Sequence, residues 1–278
     1  MTDYLKQSTD YNDSAIASAF DELSFWSSRF AKLLFDHIEI LRGINVLDVG
    51  SGTGFPLFEL AHTHGSSCQF TGIDIWKEGL SRAAKKQGAW QLENVSFLMA
   101  DGAHLPFPDA GFDLIVSHLG INNFEKPQEV LSECFRVAKP RARLILTSNL
   151  KGHMREFYDL YRETLISLGL SHHLDRLAVN EDHRGTKESI CKMVKESGFQ
   201  ISKAVEDYFH LRYLDGSTLL RHPLTRFGFL EGWRAVVDSE DENRVFSMLE
   251  SRLNEISRER GGLKMRIPML YLEGKSEK

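Results

Sequence analysis

The sequence predicts an α/β fold, a mostly parallel sheet covered by helices on both faces, and three observations carry that expectation. Short apolar runs alternate with helix-like stretches between residues 44 and 150. The first run, 44–49, is nearly all apolar, as a central parallel strand buried on both faces must be. It passes directly into Gly50-Ser51-Gly52-Thr53-Gly54, three glycines at alternate positions ahead of a helix, a turn that lets a ligand touch backbone.

The elements follow in order. Residues 12–41 read as helical, with Ile16, Phe20, Leu23, Phe30, Leu33, Leu34 and Ile38 at spacings of three and four. After the first strand, Pro56 sits where a helix tolerates a missing N–H, and that helix stops at Gly65. Residues 69–73, 95–100, 112–117 and 143–148 read as further strands, with helices at 78–87 and 127–137 between them. The turn Pro108-Asp109-Ala110-Gly111 introduces the fourth strand. Beyond residue 150 the rhythm changes: a helix at 153–168, a polar stretch at 171–185, and a helix capped by Thr186 that ends at Gly198. A long strand at 199–213 and a last one at 264–274 complete a seven-stranded sheet. Between those two lie about fifty residues of helical pattern, an insertion long enough to be functional. The expected divisions are an N-terminal helical cap at 1–42, a core at 43–213 plus 263–278, and a helical lid at 214–262. That lid, with Phe25 and Trp26, is expected to cover the reacting group.

Composition narrows the function. Hydrophobic residues make up 42% of 278, enough for a packed interior. No apolar run approaches the roughly 20 residues that span a bilayer, and the first residues lack the pattern of a secretory signal. A cytoplasmic protein is expected. Cys68, Cys134 and Cys191 lie far apart and form no Cys-x-x-Cys pair, so neither a disulfide framework nor a zinc knuckle is indicated. A net charge of -5 and a pI near 6.1 disfavour a nucleic-acid partner. A small-molecule substrate and no membrane partner are expected.

The ligand candidates fall at strand ends, where open parallel sheets bind. A dinucleotide fingerprint needs its third glycine one place later, at Phe55, and Asp48 would repel a pyrophosphate. A ligand with an ammonium and a sulfonium would be attracted instead, as S-adenosylmethionine would be. The segment Asp48-Val49-Gly50-Ser51-Gly52-Thr53-Gly54 resembles the first motif of class I S-adenosylmethionine-dependent methyltransferases. Gly72-Ile73-Asp74 resembles their second acidic strand end, and Asp101-Gly102-Ala103 the third. The run 105–117, Leu-Pro-Phe-Pro-Asp-Ala-Gly-Phe-Asp-Leu-Ile-Val-Ser, is similar to the subgroup that includes ubiquinone and menaquinone C-methyltransferases. The resemblance covers roughly residues 44–150, about one ordinary domain. It implies a Rossmann-like sheet with an antiparallel last strand, and S-adenosylmethionine as cofactor. Asp74 would chelate ribose hydroxyls or cap the following helix. Ile75 or Trp76 would pack on adenine. Asp101, with the backbone of Gly102 or Ala103, would meet the adenine edge, unless Asp101 only caps its turn. Ser117, ending the last motif, joins the cofactor-contacting set.

Methyl transfer is an in-line displacement, so the protein chiefly positions the reactants. The chain after the fourth strand, Ser117-His118-Leu119-Gly120-Ile121-Asn122-Asn123, should face the methyl group. His118 is the candidate general base, with a bland alternative in which it bonds nearby backbone. Asn122 could orient a substrate oxygen. The Asn-Pro-Pro-Tyr and Asp-Pro-Pro-Tyr signatures of N-methyltransferases are missing here, which favours oxygen or carbon acceptors. His172, His173, Asp182 and His183 match no tetrahedral spacing and read as a solvated loop, so no metal is expected. Residues 221–233 mix two arginines with three aromatics, suiting either an anionic substrate or a solvated helix face. An RNA or protein methyltransferase, or a binding protein without turnover, are the alternatives.

Overall fold

The computed structural model describes residues 2–6 and 9–278. Seven strands form one sheet: β1 (Asn45–Val49), β2 (Gln69–Asp74), β3 (Val95–Met99), β4 (Phe112–His118), β5 (Ala138–Asn149), β6 (Phe199–Tyr213) and β7 (Leu263–Ser276). Their order is β3-β2-β1-β4-β5-β7-β6. The first five are parallel neighbours, with Asp48 beside both Gly72 and Val116. β7 runs antiparallel to β5, with Leu146 opposite Leu272. β1 therefore sits between β2 and β4, where the order reverses, the place at which open parallel sheets bind ligands beyond the carboxyl ends of their strands. The expected fold class is the observed one.

The chain divides into two compact units. The larger comprises Tyr11–Asn149, Thr186–Asp207 and Met269–Lys278. Its centre is apolar because the central strands have solvent on neither face: Val46, Leu47, Ile115, Val116 and Ile145 are all fully buried. Helix ends follow local chemistry. Gly65 ends Leu57–His64 at a φ of 75°, and Pro127 opens Pro127–Val137. Thr186 accepts from the Ser189 N–H in a capping box. The helical region expected over 12–41 consists of two helices, Ser14–Asp21 and Ser24–His37, the first capped by the Asp13 carboxylate on the Ala15 N–H. Ser14–Asp21 lies on Lys77–Trp90, and Ser24–His37 packs against β5. Both helices thus belong to the unit that holds the central strands.

The smaller unit comprises Met1–Asp10, Leu150–Gly185 and Tyr208–Pro268. Its core is aromatic. Phe157 stacks on Trp233 at 3.9 Å between centroids, the Tyr161 hydroxyl donates to the Trp233 carbonyl at 2.9 Å, and Phe246 meets Tyr161 edge-on. The segment expected as an insertion, 214–262, thus packs on Arg155–Ser167. Through Trp233 and Phe246 it covers Phe157 and Tyr161, both fully buried. The polar stretch 171–185 is also more ordered than its pattern suggests. It forms a 3-10 turn, Ser171–His173, and the helix Leu174–Glu181, in which Leu177 is the one buried position. So thin an apolar stripe leaves no readable period, and packing rather than propensity makes the helix. Arg221, in the segment singled out for its arginines, bonds Glu250 at 2.6 Å and Asp3 at 2.8 Å. Its guanidinium lies over Tyr4, so acids of the chain itself neutralise that cation.

No helix among the described residues is long and apolar enough to cross a membrane.

Candidate active site

The strand ends of the larger unit are tied together by backbone. The N–H groups of Gly50 and Ser51 both donate to the Ile73 carbonyl at 2.9 Å, and the Gly54 N–H donates to the Ser51 carbonyl. Holding that turn requires φ values of +83°, +52° and +97° at Gly50, Gly52 and Gly54, a region that side chains disfavour. The Asp74 carboxylate accepts from Gly52 N–H at 2.7 Å and from Trp76 N–H at 2.8 Å. One oxygen therefore holds the glycine turn and the other the backbone of Trp76, the residue before the next helix. Burial raises its pKa, outweighing the bonds from Trp76, Gly52 and Ile75. A carboxylate has about four acceptor positions, so both oxygens retain room for a further donor.

Asp48 lies under this turn and is fully buried. Neither of its oxygens has a hydrogen-bond partner among the described residues, and the same holds for the buried Ser51 hydroxyl. Desolvation, with a smaller contribution from the Asp74 charge, pushes the Asp48 pKa well above the carboxylate range. An orphaned carboxylate beside a second one is a costly arrangement that a cation would relieve.

The flanking residues divide. Ile75 is 73% exposed, so its face is open to a ligand. Trp76 is already covered: Tyr11 and Phe20 meet it edge-on, and its indole N–H donates to the Tyr11 carbonyl. Asp101 is exposed, and its carboxylate accepts from the Ala103 N–H at 2.9 Å, the turn-capping geometry. Gly102 lies against β1, where a Cβ would come within 3.0 Å of Val49. The Ser117 hydroxyl is spent on the Val49 carbonyl at 2.8 Å and is buried.

His118 ends β4 and is buried. Its Nε2 lies 3.1 Å from the Ser27 carbonyl and 2.9 Å from the Ser27 hydroxyl, and its Nδ1 lies 2.8 Å from the Thr147 hydroxyl. A carbonyl only accepts, so Nε2–H donates to it and Nδ1 receives the Thr147 proton. Both nitrogens are occupied, and burial lowers the pKa to about 4 despite the Ser27 carbonyl. The imidazole is thus neutral in the folded chain and charged when unfolded below its ordinary pKa of about 6.5. Its contribution to stability is full above that value and is lost as pH falls through about 4, a total of roughly 3 kcal/mol. Urea unfolding at neutral and acid pH should show this loss in the wild type and a clearly smaller one in His118→Gln. Equal acid sensitivity in the two proteins would mean that His118 titrates normally.

Asn122 donates to Asn149 at 2.7 Å and accepts from Ser148 at 2.6 Å, which ties the turn after β4 to β5. Several neighbours escaped sequence reading. Gly120 approaches so closely that a Cβ would meet the Ser117 hydroxyl at 2.5 Å and the Val49 carbonyl at 2.8 Å. Asp21 accepts from Lys86 at 2.6 Å and Arg82 at 3.0 Å. Burial raises its pKa, but Lys86, Thr53 and Arg82 bring it below the ordinary value, so the Ser14–Asp21 helix reaches the glycine turn. Phe55 stands edge-on to His118. The signal for Gly120 was a lone glycine after a strand, and Asp21 had none.

A sheet whose order reverses at β1, a three-glycine turn and an acid at each of three strand ends fit a cofactor-dependent transferase of the α/β class. A family model described as a methyltransferase domain matches residues 40–198. The demethylmenaquinone methyltransferase of Thermotoga maritima is 29% identical over 187 residues, 64% of this chain and 77% of that one. A ubiquinone/menaquinone biosynthesis C-methyltransferase of Rickettsia bellii is 32% identical, covering 56% of this chain and 68% of the relative. In fold, the chain is similar to a SAM-dependent methyltransferase from Aquifex aeolicus, with a TM-score of 0.53 and 23% identity over 69% of this chain and 92% of the other. The chain belongs to the methyltransferase-domain family and is an S-adenosylmethionine-dependent methyltransferase.

Proposed function

We propose that the carboxyl end of β1 holds S-adenosylmethionine through Asp48, the Gly50–Gly54 turn, Asp74 and Ile75, and that the methyl group passes to oxygen or carbon of a small molecule. The observation that carries this reading is the Asp48 carboxylate, fully buried with neither oxygen bonded among the described residues. Its chemistry fits the ammonium of an amino-acid ligand and opposes a pyrophosphate. When bound, S-adenosylmethionine supplies an electrophilic methyl carbon and a neutral thioether leaving group.

The chain's own residues bind and position. Asp48 pairs with the ammonium, and the backbone between Gly50 and Gly54 lies against the ligand because no Cβ intervenes. Asp74 adds two ribose hydroxyls to the bonds it already accepts, and Ile75 covers one adenine face, Trp76 being engaged by Tyr11 and Phe20. Asp101 and the backbone of Gly102 and Ala103 line the adenine edge. Ser117 fixes β4 to the end of β1. His118 and Asn122 act as positioning residues, since their polar atoms bond Ser27, Thr147, Ser148 and Asn149. A carbon or oxygen acceptor attacks in line and then loses a proton, to solvent or to an acceptor group. A small-molecule acceptor is favoured by the likeness to the two quinone-biosynthetic methyltransferases and by the acidic composition. Three free thiols suit a cytoplasmic setting.

Calorimetry tests the cofactor reading. Binding of a cation to an acid whose pKa is raised releases a proton, so affinity for S-adenosylmethionine should rise as pH climbs above the ordinary carboxylate range. The heat should differ between buffers of different ionisation enthalpy, and NAD should bind far more weakly. Asp74→Ala should weaken binding by roughly tenfold or more, the loss of charge-assisted bonds worth about 1.5–3 kcal/mol. Tight NAD binding with no response to S-adenosylmethionine would overturn the reading.

A further inference from the structure

We propose a divalent-metal site in the smaller unit, formed by His172, His173 and Asp238 with Asp241 beside them, suited to a zinc-class ion. The sequence reading placed these histidines in a solvated loop, but His173 is 1% exposed. Neither of its ring nitrogens has a hydrogen-bond partner among the described residues. A buried imidazole without partners is expensive unless something else fills its lone pair. Its Nε2 faces two carboxylates, Asp238 Oδ2 at 3.9 Å and Asp241 Oδ2 at 3.8 Å, too far for hydrogen bonds. One ligand atom each from His172, His173 and Asp238 lie within 4.8 Å of one another, and the two imidazoles are 4.0 Å apart at their centroids.

The local elements explain why these groups converge. His172 and His173 end the 3-10 turn Ser171–His173. Asp238 is the N-cap residue of Ser239–Arg260, yet its side chain makes no capping bond, unlike most aspartates in that position. Its Oδ1 accepts from Arg176 at 2.7 Å, which leaves Oδ2 directed at the histidine. Donors on a tetrahedral zinc, at bond lengths of about 2.0–2.2 Å, stand roughly 3.3–3.6 Å apart. The separations from His173 Nε2 to the two carboxylates, 3.8–3.9 Å, are a few tenths of an ångström wider, and with the three ligand atoms within 4.8 Å of one another side-chain adjustment would close the set on an ion. Two imidazoles with carboxylates suit zinc and its neighbours in the first transition row, while calcium and magnesium prefer all-oxygen sets. Nitrogen lone pairs and carboxylate oxygens each enter the metal's coordination sphere, and any proton on the coordinating nitrogen leaves to solvent. The ion would staple the turn at 171–173 to the start of the long helix, stabilising the unit by mass action.

Untagged protein, stripped with a chelator and exchanged into buffer, is titrated with zinc chloride in a calorimeter. One equivalent should bind and raise the melting temperature, whereas calcium and magnesium should do neither. His172→Ala and Asp238→Asn alter exposed positions, so both should fold, and each should weaken zinc binding at least about tenfold. Cobalt(II) should give the intense visible absorption of a tetrahedral site in the wild type and lose it in both variants. No binding by the wild type, or unchanged zinc affinity in both variants, would overturn the site.

Discussion

Asp48→Asn should weaken S-adenosylmethionine binding at least about a hundredfold and, in the same protein, raise the stability of the unliganded enzyme. Both effects come from one buried charge. The amide is nearly isosteric, so β1 and its neighbours Gly72 and Val116 need not move. It cannot neutralise an ammonium, however, and stranding a desolvated cation costs about 3–5 kcal/mol. In the unliganded protein the balance reverses. The wild-type carboxyl has its pKa raised by burial and by Asp74, so it favours the folded state most when protonated. Its contribution is complete below the ordinary aspartate pKa of about 3.9 and is lost as pH rises through the elevated folded value. The variant lacks this loss. Its melting temperature should therefore exceed that of the wild type once pH has risen past that folded value, and converge with it in acid. Calorimetry and thermal melts across pH check the two halves independently. Unchanged affinity would remove Asp48 from the site, and a pH-independent difference in melting would remove its titration from the explanation.

Gly54→Ala should destabilise the larger unit by about 3 kcal/mol, while Gly88→Ala should stabilise it slightly. The two glycines differ in what surrounds them. At Gly54 the backbone has a φ of +97°, and a Cβ would lie 2.3 Å from the Phe58 ring. That ring has little room to retreat, being 3% exposed and bordered by Trp90 at 5.0 Å and Phe97 at 5.3 Å. Positive φ at a residue with a side chain costs of order 1–3 kcal/mol, and overpacking a filled core adds roughly as much. The whole turn through Ser51 would shift, taking the cofactor site with it. Gly88 stands near the end of the Lys77–Trp90 helix with nothing within 4 Å of a Cβ, so alanine should gain about 0.5–1 kcal/mol. Equal melting temperatures for the two variants would show that the contact at Gly54 relaxes at no cost.

The strand-turn-helix around Asp48, the acids at Asp74 and Asp101, and five parallel strands with helices between them were legible in residue order. Such features are local: buried strands are continuously apolar, tight turns demand glycine, and an acid at a strand end needs no distant partner to be recognised. What sequence could not supply is the set of partners that folding brings from far away. His118 looked like a base, but whether it can accept a proton depends on Ser27, 91 residues earlier, and Thr147, 29 residues later. Trp76 looked available until Tyr11 and Phe20 covered it. The stretch at 171–185 looked solvated because its polar residues outnumber its apolar ones. Only packing within the smaller unit buries His173 and turns it toward Asp238 and Asp241, which follow more than sixty residues later. Sequence alone determined the backbone cradle and the chemistry of its acids, since these are properties of neighbours along the chain. Tertiary structure decided which polar atoms remain without partners, because desolvation and hydrogen bonding depend on residues that meet only in the folded protein.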